Sequence, residues 1–400
     1  MKWIKNEKNY RIPIKSWCEE VEDGALKQAE NLAMHPALVR HVALMPDCQQ
    51  GYGMPIGRVI AVKDAVIPSA VGVDIGCGMV AEETDIPAER LMEMSFRRMI
   101  QEKLKERIPV GDAVFHKEPQ NWDGFEKYLD KNGQGANFAN ALDRKNLGTL
   151  GGGNHFIEIQ KSDTGFVWLM AHSGSRNQGK RIEEFYHHRA SALNERFHVQ
   201  LADPNLAFLP IQEPDGHNYF RDMQFALDYA QENRHRMMAV MKETIAGFIP
   251  ETNFLHEVNI HHNYAAFETH FGETLCIHRK GATSAKQDEI GIIPGSMGTA
   301  SYIVRGLGNL DSFMSCSHGA GRRMSRIAAC TNLSVEECDS AVTGIVCERW
   351  KPYRKYGKNK GYLDLSEAPQ AYKSIEDVID SERDLVTPLV RLMPLAVLKD

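Results

Sequence analysis

No apolar run in this sequence approaches the length of a membrane span, and Met1-Lys-Trp-Ile-Lys-Asn6 lacks the apolar core of a secretory signal. A cytoplasmic setting is therefore expected. The eight cysteines (Cys18, Cys48, Cys77, Cys276, Cys316, Cys330, Cys338, Cys347) form no Cys-x-x-Cys pair and no regular framework, which excludes a disulfide-stapled scaffold and the common zinc-finger spacings. Lys-x-Asp-Gly, the nucleophile motif of lysine-based nucleic-acid ligases, does not occur, and Lys161-Ser-Asp-Thr164 is its nearest approach. The stretch from Gly174 to Lys180 nearly writes a P-loop, but Arg181 stands where the magnesium-holding Ser or Thr belongs. After His256-Glu257 the next histidine, His261, comes one residue too late for a zinc-protease helix. Internal repeats and interdomain linkers are also missing.

What is present is an ordinary globular composition. At 400 residues, 42% hydrophobic and 25% charged, the chain is long enough for one large α/β domain or two average ones. Its net charge of −6 argues against general nucleic-acid coating, which usually needs a basic protein. The charge is uneven, however. Residues 172–181 and 318–326 are basic, while acids gather at 82–93 and 367–384.

The patterning is coarse but readable. Residues 36–80 alternate short apolar runs with glycines, predicting strands and tight turns; further strands are expected at Phe156–Ile159, Phe166–Met170 and Phe254–Ile260. Helices are expected over 87–107, with Leu91, Met94, Met99 and Leu104 near one face, and over 181–200 and 219–247. The methionine stripe of the last (Met223, Met237, Met238, Met241) reads as core. Polar, Gly/Asn-rich 110–146 is the candidate mobile loop or insertion. Basic, tyrosine-bearing 351–362 suits a solvated loop, with RNA contact the alternative.

Two clusters carry chemistry. In Ser315-Cys-Ser-His318-Gly319-Ala320-Gly321-Arg322, small residues let backbone approach whatever the imidazole meets. Arg322, Arg323 and Arg326 follow in a segment predicted to open a helix, the makings of a phosphate site. In Val71-Gly-Val-Asp74-Ile-Gly-Cys77-Gly-Met79, a hard carboxylate and a soft thiolate suit a borderline divalent ion. His155, His172 and His262 each lie at or near the end of an expected strand, a usual place for ligands. Taken singly, each reads as a hydrogen-bonded structural histidine; together with Asp74 and Cys77 they point to metal. The metal ligands run from 74 to 262 and His318 lies beyond, so splitting the chain would cut the site, and 1–400 is expected as one mixed α/β domain.

With these residues in hand, the chain resembles the RtcB-type RNA-splicing ligases. The matching motifs are Met45-Pro-Asp47, Asp74-Ile-Gly-Cys77, Leu147-Gly-Thr-Leu-Gly151, Gly153-Asn-His-Phe-Ile-Glu158 and His172-Ser-Gly-Ser-Arg176. They continue with His262-Asn-Tyr264, Arg279-Lys-Gly-Ala282, Ile293-Pro-Gly-Ser-Met-Gly298, Ser317-His-Gly-Ala-Gly-Arg322, Ala371-Tyr-Lys373 and Lys399, in the family's order and over nearly the whole chain. The resemblance implies joining of RNA ends bearing a 3′-phosphate or 2′,3′-cyclic phosphate to 5′-hydroxyl ends, with GTP and two Mn ions. His318 would be the nucleophile that takes GMP, and Asp74, Cys77, His155, His172 and His262 the metal ligands. Asn154, Glu158, Arg176, Lys280, Ser296, Ser301, Gly319, Ala320, Gly321, Arg322, Arg326, Tyr372 and Lys399 resemble GTP or phosphate contacts. An imidazole of ordinary pKa, about 6.5, is mostly neutral and nucleophilic at pH 7, which suits that role. RNA ends are the expected partner; neither DNA nor a membrane is, and no protein partner is implied.

One position departs from the family's pattern. Its members usually carry His two residues after the Asp of Met-Pro-Asp, and here Gln49 stands there, which can hydrogen-bond but cannot shuttle a proton. None of the five proposed ligands is lost, so GTP activation is expected to survive and RNA-end handling to differ. Two rivals stay open: a dinuclear metal phosphohydrolase acting on RNA ends, and a catalytically reduced RNA-binding paralogue.

Overall fold

A computed structural model of the chain describes residues 1–132, 136–348, 350–352 and 362–400. In chain order, β1 (Trp3–Lys5) and β2 (Ile14–Ser16) precede α1 (Asp23–Ala33), then β3 (Leu38–Gln49), β4 (Ile56–Val62), β5 (Ala65–Val66) and β6 (Gly78–Pro87) follow. Helices α2 (Met94–Arg107), α3 (Asp123–Asn132) and α4 (Ala141–Asn146) lead to β7 (Phe156–Ser162), β8 (Phe166–Ser173), α5 (Gln178–Arg196), β9 (Leu209–Pro210) and α6 (Pro214–Phe248). The remainder is β10 (Phe254–His261), β11 (Asn263–His270), β12 (Glu273–Lys280), β13 (Ala282–Ser284), β14 (Ile290–Ile293), β15 (Ser301–Gly306), β16 (Ser315–Ser317), α7 (Arg326–Asn332), α8 (Val335–Ala341), α9 (Ile375–Ser381) and β17 (Val386–Leu398).

Two large sheets organise the mixed α/β domain. One is six-stranded, β1-β2-β3-β4-β12-β11, and the other seven-stranded, β10-β6-β8-β7-β17-β15-β14. Their strands are rich in Val, Ile and Ala, which pack a pleated surface closely. Helix α6 serves both sheets. Tyr219, Met223, Ala226 and Leu227 join the core beneath the six-stranded sheet, while Met237, Met238, Met241 and Ile245 join the core beneath the seven-stranded one. The methionine stripe is thus core, as its spacing indicates.

Elsewhere the sequence reading needs correction. On α2 the buried face is Arg97, Ile100, Gln101 and Leu104, whereas Met94 and Met99 face solvent at 43% and 54% exposure. The two polar members are inside because Arg97 caps the carbonyls of Gly344 and Leu395, and Gln101 those of Val346 and Val397. Residues 110–146 are more than a loop: α3 and α4 lie there, and Phe125, Tyr128 and Leu147 pack with Phe225 and Tyr229 of α6. The helix expected after His318 begins only at Arg326, where Ser325 caps it, leaving Arg322 and Arg323 ahead of it. Most of the basic segment 351–362 lies outside the described residues.

The corrected register of α2 is testable by denaturant unfolding. Ile100→Ala should cost about 2–4 kcal/mol through the cavity it leaves, and Met99→Ala less than about 0.5 kcal/mol; the reverse order would refute the assignment.

Candidate active site

Four adjacent strands, β10-β6-β8-β7, bring the expected ligands to one end of the seven-stranded sheet. Gly78, one residue past Cys77, pairs with Ser173 on one side and His261 on the other, and Phe156 pairs with His172. Antiparallel pairing therefore gathers Cys77, His155, His172 and His262 from distant parts of the sequence. Cys77 Sγ lies 3.2 Å from His172 Nε2 and 3.5 Å from His155 Nε2, and the three donor atoms all fall within 4.8 Å of one another.

The surroundings orient these donors. His155 Nδ1 donates to the Leu150 carbonyl at 3.1 Å and His172 Nδ1 to the Asn154 carbonyl at 3.2 Å. A carbonyl only accepts, so each Nδ1 holds the proton and each Nε2 turns its lone pair toward Cys77. Asp74 stands beside the group, its Oδ2 3.4 Å from His155 Nε2, its Oδ1 accepting from Ser175 N and Oγ at 3.2 Å each. His262 flanks the other side, its ring centre 5.1 Å from that of His172, and its buried Nδ1 has no hydrogen-bond partner among the described residues. Gly76 (φ +81°) lies against α6, where an added Cβ would meet the Ala230 Cβ at 2.9 Å, and a Cβ on Gly174 would collide with the Asp74 carboxylate. These glycines let two turns press together.

Burial, reinforced by neighbouring histidines, holds His172 and His262 well below the ordinary imidazole range, so both are neutral. Burial and the nearby Asp74 push the Cys77 thiol well up, and a divalent ion bound there would release its proton. A thiolate, a carboxylate and neutral imidazoles fit a borderline divalent metal, and the orphaned His262 nitrogen is the kind of atom such an ion satisfies.

The six-stranded sheet brings in the other half of the site. The chain leaves β12 at Lys280, turns into β13, and β13 pairs with β16, from whose end His318 emerges. Its Nδ1 donates to Asp47 Oδ2 at 2.6 Å, and its backbone N–H donates to the same oxygen at 3.0 Å. Nε2 is thereby left as the unprotonated ring nitrogen. Two residues along β3, Gln49 Oε1 accepts from the Arg322 N–H at 2.7 Å, and Lys373 Nζ donates to the carbonyls of Pro46 and Cys48. The His318 ring centre is 4.9 Å from that of His262, so the His318 loop adjoins the strand ends that carry the Cys–His group. Both line a cavity of about 730 Å³.

The profile of the family described as tRNA-splicing ligase RtcB matches residues 28–400. The chain belongs to the RtcB family of RNA-splicing ligases. It is 38% identical to the RNA-splicing ligase RtcB of Escherichia coli K12 over 413 residues, covering 97% of each chain. It is 31% identical to that of Mycobacterium tuberculosis H37Rv over 439 residues, covering 93% of this chain and all of the relative. The tRNA-splicing ligase RtcB of Methanococcus maripaludis is 28% identical over 452 residues, covering 95% of this chain and 92% of the relative.

Of the nucleotide contacts expected from the RtcB resemblance, Asn154, Glu158, Lys280, Ser296, Gly319, Ala320, Gly321, Arg322, Arg326, Tyr372 and Lys399 line the cavity. Ser301 is not among its lining: it stands behind the wall, its Oγ accepting from Gly295 N and Gln160 Nε2. Arg176 also lies outside the lining, its Nε donating to Thr149 Oγ1 at 3.2 Å. Burial lowers Lys280 to about 7 and raises Glu158 to about 8. Lys399 is anchored because β17 pairs with β7, and its Nζ meets Glu367 Oε2 at 2.6 Å. Arg322, Arg326 and Tyr372 converge on the same carboxylate. Sequence reasoning assigned no role to Glu367, Asp47, Asn233, Arg234 or Lys373. A signal existed for three of them: Asp47 and Lys373 sit inside motifs named above, and Arg234 lies three and four residues before Met237 and Met238, on the face that the methionines bury.

Glu158 and Glu382, both buried and raised to about 8, hold a proton in the folded state that the unfolded chain loses near its ordinary value. The folded state binds more protons across that window, so stability should fall as pH rises from about 4.5 to about 8. Denaturation of Glu158→Gln and Glu382→Gln across this range should each show a flatter decline, by up to ~1.4 kcal/mol per pH unit; slopes equal to wild type would refute the neutral carboxyls.

Proposed function

We propose that this chain seals RNA ends bearing a 3′-phosphate or 2′,3′-cyclic phosphate to 5′-hydroxyl ends, using GTP and a covalent guanylate on His318, in RNA repair or tRNA splicing. The observation that carries this reading is the bond between His318 Nδ1 and Asp47, with His318 lining the same cavity as Cys77 and His172 of the Cys77–His155–His172 group. Nε2 of His318 would attack the α-phosphorus of GTP, forming an N–P bond as the bond to the β-phosphate oxygen breaks and pyrophosphate leaves. Asp47 keeps the Nδ1 proton and stabilises the positive ring that forms. An oxygen of the RNA 3′-phosphate then attacks the same phosphorus, freeing His318 and leaving the RNA end joined to GMP through a pyrophosphate. Finally the 5′-hydroxyl attacks the terminal RNA phosphorus, losing its proton and expelling GMP. A cyclic phosphate would first be opened by water.

Asp74, Cys77, His155, His172 and His262 would hold two Mn ions, which when bound withdraw charge from phosphate oxygens and the leaving group. The tight Cys–His–His group, with Asp74 on one flank and His262 on the other, would supply the donors that hold them. Lys280, near half-charged at pH 7, regains full charge beside a phosphate. Among the described residues Arg323 is exposed at the cavity with no ion-pair partner, unlike Arg322 and Arg326, and suits an RNA phosphate.

Incubation with Mn and GTP labelled at the α-phosphate should give a protein band on a denaturing gel that is acid-labile, alkali-stable and absent from His318→Ala. No band with any divalent metal would sink the ligase mechanism and favour a phosphohydrolase. Asp47→Asn should fold yet label about 10²–10⁴-fold more slowly, because the imidazole loses its anionic partner; an unchanged rate would remove Asp47 from the mechanism.

A further inference from the structure

The guanidinium of Arg234 is fully buried in the middle of α6, and every group that it hydrogen-bonds is neutral. Nη1 donates to the carbonyls of Gly76 at 2.8 Å and Ser173 at 3.0 Å, Nη2 meets His261 Nδ1 at 3.1 Å, and Nε donates to Asn259 Oδ1 at 2.8 Å. No carboxylate pairs with it among the described residues. An enclosed cation without an ion-pair partner is costly, and simple packing would be better served by another methionine. The arrangement makes sense through what its partners adjoin. Gly76 precedes Cys77, Ser173 follows His172, and His261 precedes His262. One rigid, planar group thus grips the immediate neighbours of three donors that come from three strands. Its neighbour Asn233 extends the frame, accepting from the N–H groups of Gly148 and Thr149 and donating to Ser173 Oγ.

We propose that Arg234 is the positioning residue of the metal centre, fixing Cys77, His172 and His262 in mutual register from α6. This rests on the ligand assignment under Proposed function. A role confined to holding the fold together would lower stability and leave the metal affinity of folded molecules unchanged, which separates the two readings.

The test is titration of the full-length, chelator-stripped protein with cobalt(II), following the d–d bands and the thiolate-to-cobalt charge-transfer band, with circular dichroism confirming the fold. Arg234→Met should bind cobalt about 10–100-fold more weakly, the usual effect of losing an outer partner of a metal ligand, with displaced d–d bands. Arg234→Lys, which keeps the charge but not the fork, should recover only part of the affinity. A folded Arg234→Met with wild-type affinity and spectrum would overturn the proposal. If that variant does not fold, Asn259→Ala, which frees Nε alone, decides: a few-fold weaker binding supports the proposal and unchanged binding overturns it. A wild-type protein with no thiolate band would instead overturn the ligand assignment itself, and this inference with it.

Discussion

One helix must serve two cores at once, and the site exists at the place where it passes from one to the other. The first half of α6 is buried under the six-stranded sheet and the second half under the seven-stranded sheet. At the crossing the strands end, and their last carbonyls and N–H groups have no ladder partner. Buried backbone groups left unpaired are expensive, so the helix meets them with polar side chains: Asn233 satisfies Gly148 and Thr149, and Arg234 satisfies Gly76 and Ser173. The same strand ends present Cys77, His155, His172 and His262. Satisfying the backbone and aligning these four side chains are therefore one structural task.

The cavity is organised by charge as well as by strand register. At one end Asp74 supplies a carboxylate beside the Cys77 thiol. At the other, Glu367 gathers Arg322, Arg326, Lys399 and the Tyr372 hydroxyl. Burial opposes its charge, but Lys399 and Arg326 outweigh that and keep its carboxyl below the usual range. Arg322 also lies over the Tyr372 ring, 4.9 Å from its centre. Long side chains that are already ordered lose little freedom when an anionic ligand arrives, so the cluster is preorganised.

Much of this was legible in the sequence, for a physical reason. Reactive residues at strand ends leave a double trace, bounded by an apolar run and by glycines, and such traces mark Cys77, His155 and His172, while small residues on both sides mark His318. The methionine stripe of α6 was equally plain, because burial fixes its spacing. What escaped were partners whose roles depend on contacts far along the chain. Glu367 reads as one acid among many until β17 and the turn at Tyr372 bring cations to it. Arg97 and Gln101 read as solvent-facing because their acceptors are carbonyls some 250 to 300 residues away. Side chains that satisfy distant backbone carry no local signature. The α3–α4 region failed differently: its polar composition hid a few aromatics, Phe125 and Tyr128 among them, that suffice to dock it on α6.

Gln49, which departs from the pattern the RtcB resemblance implies, helps to hold the loop that carries His318. Its Oε1 accepts the Arg322 N–H while Asp47, two residues earlier on the same strand face, accepts from His318. The loop from His318 to Arg322 is thus pinned at both ends by β3, and Lys373 fastens it further by donating its N–H to the Gly321 carbonyl and its Nζ to Pro46 and Cys48. A carboxamide meets this need as a neutral acceptor over the whole physiological pH range, and it has no proton to exchange. The frame around the nucleophile is accordingly independent of any titration at position 49. Whatever proton an RNA end must gain or lose has to be handled by water or by another group in the cavity, such as Lys280, whose lowered value of about 7 suits it to either state. Gln49 thus holds the His318 loop through a neutral hydrogen bond alone.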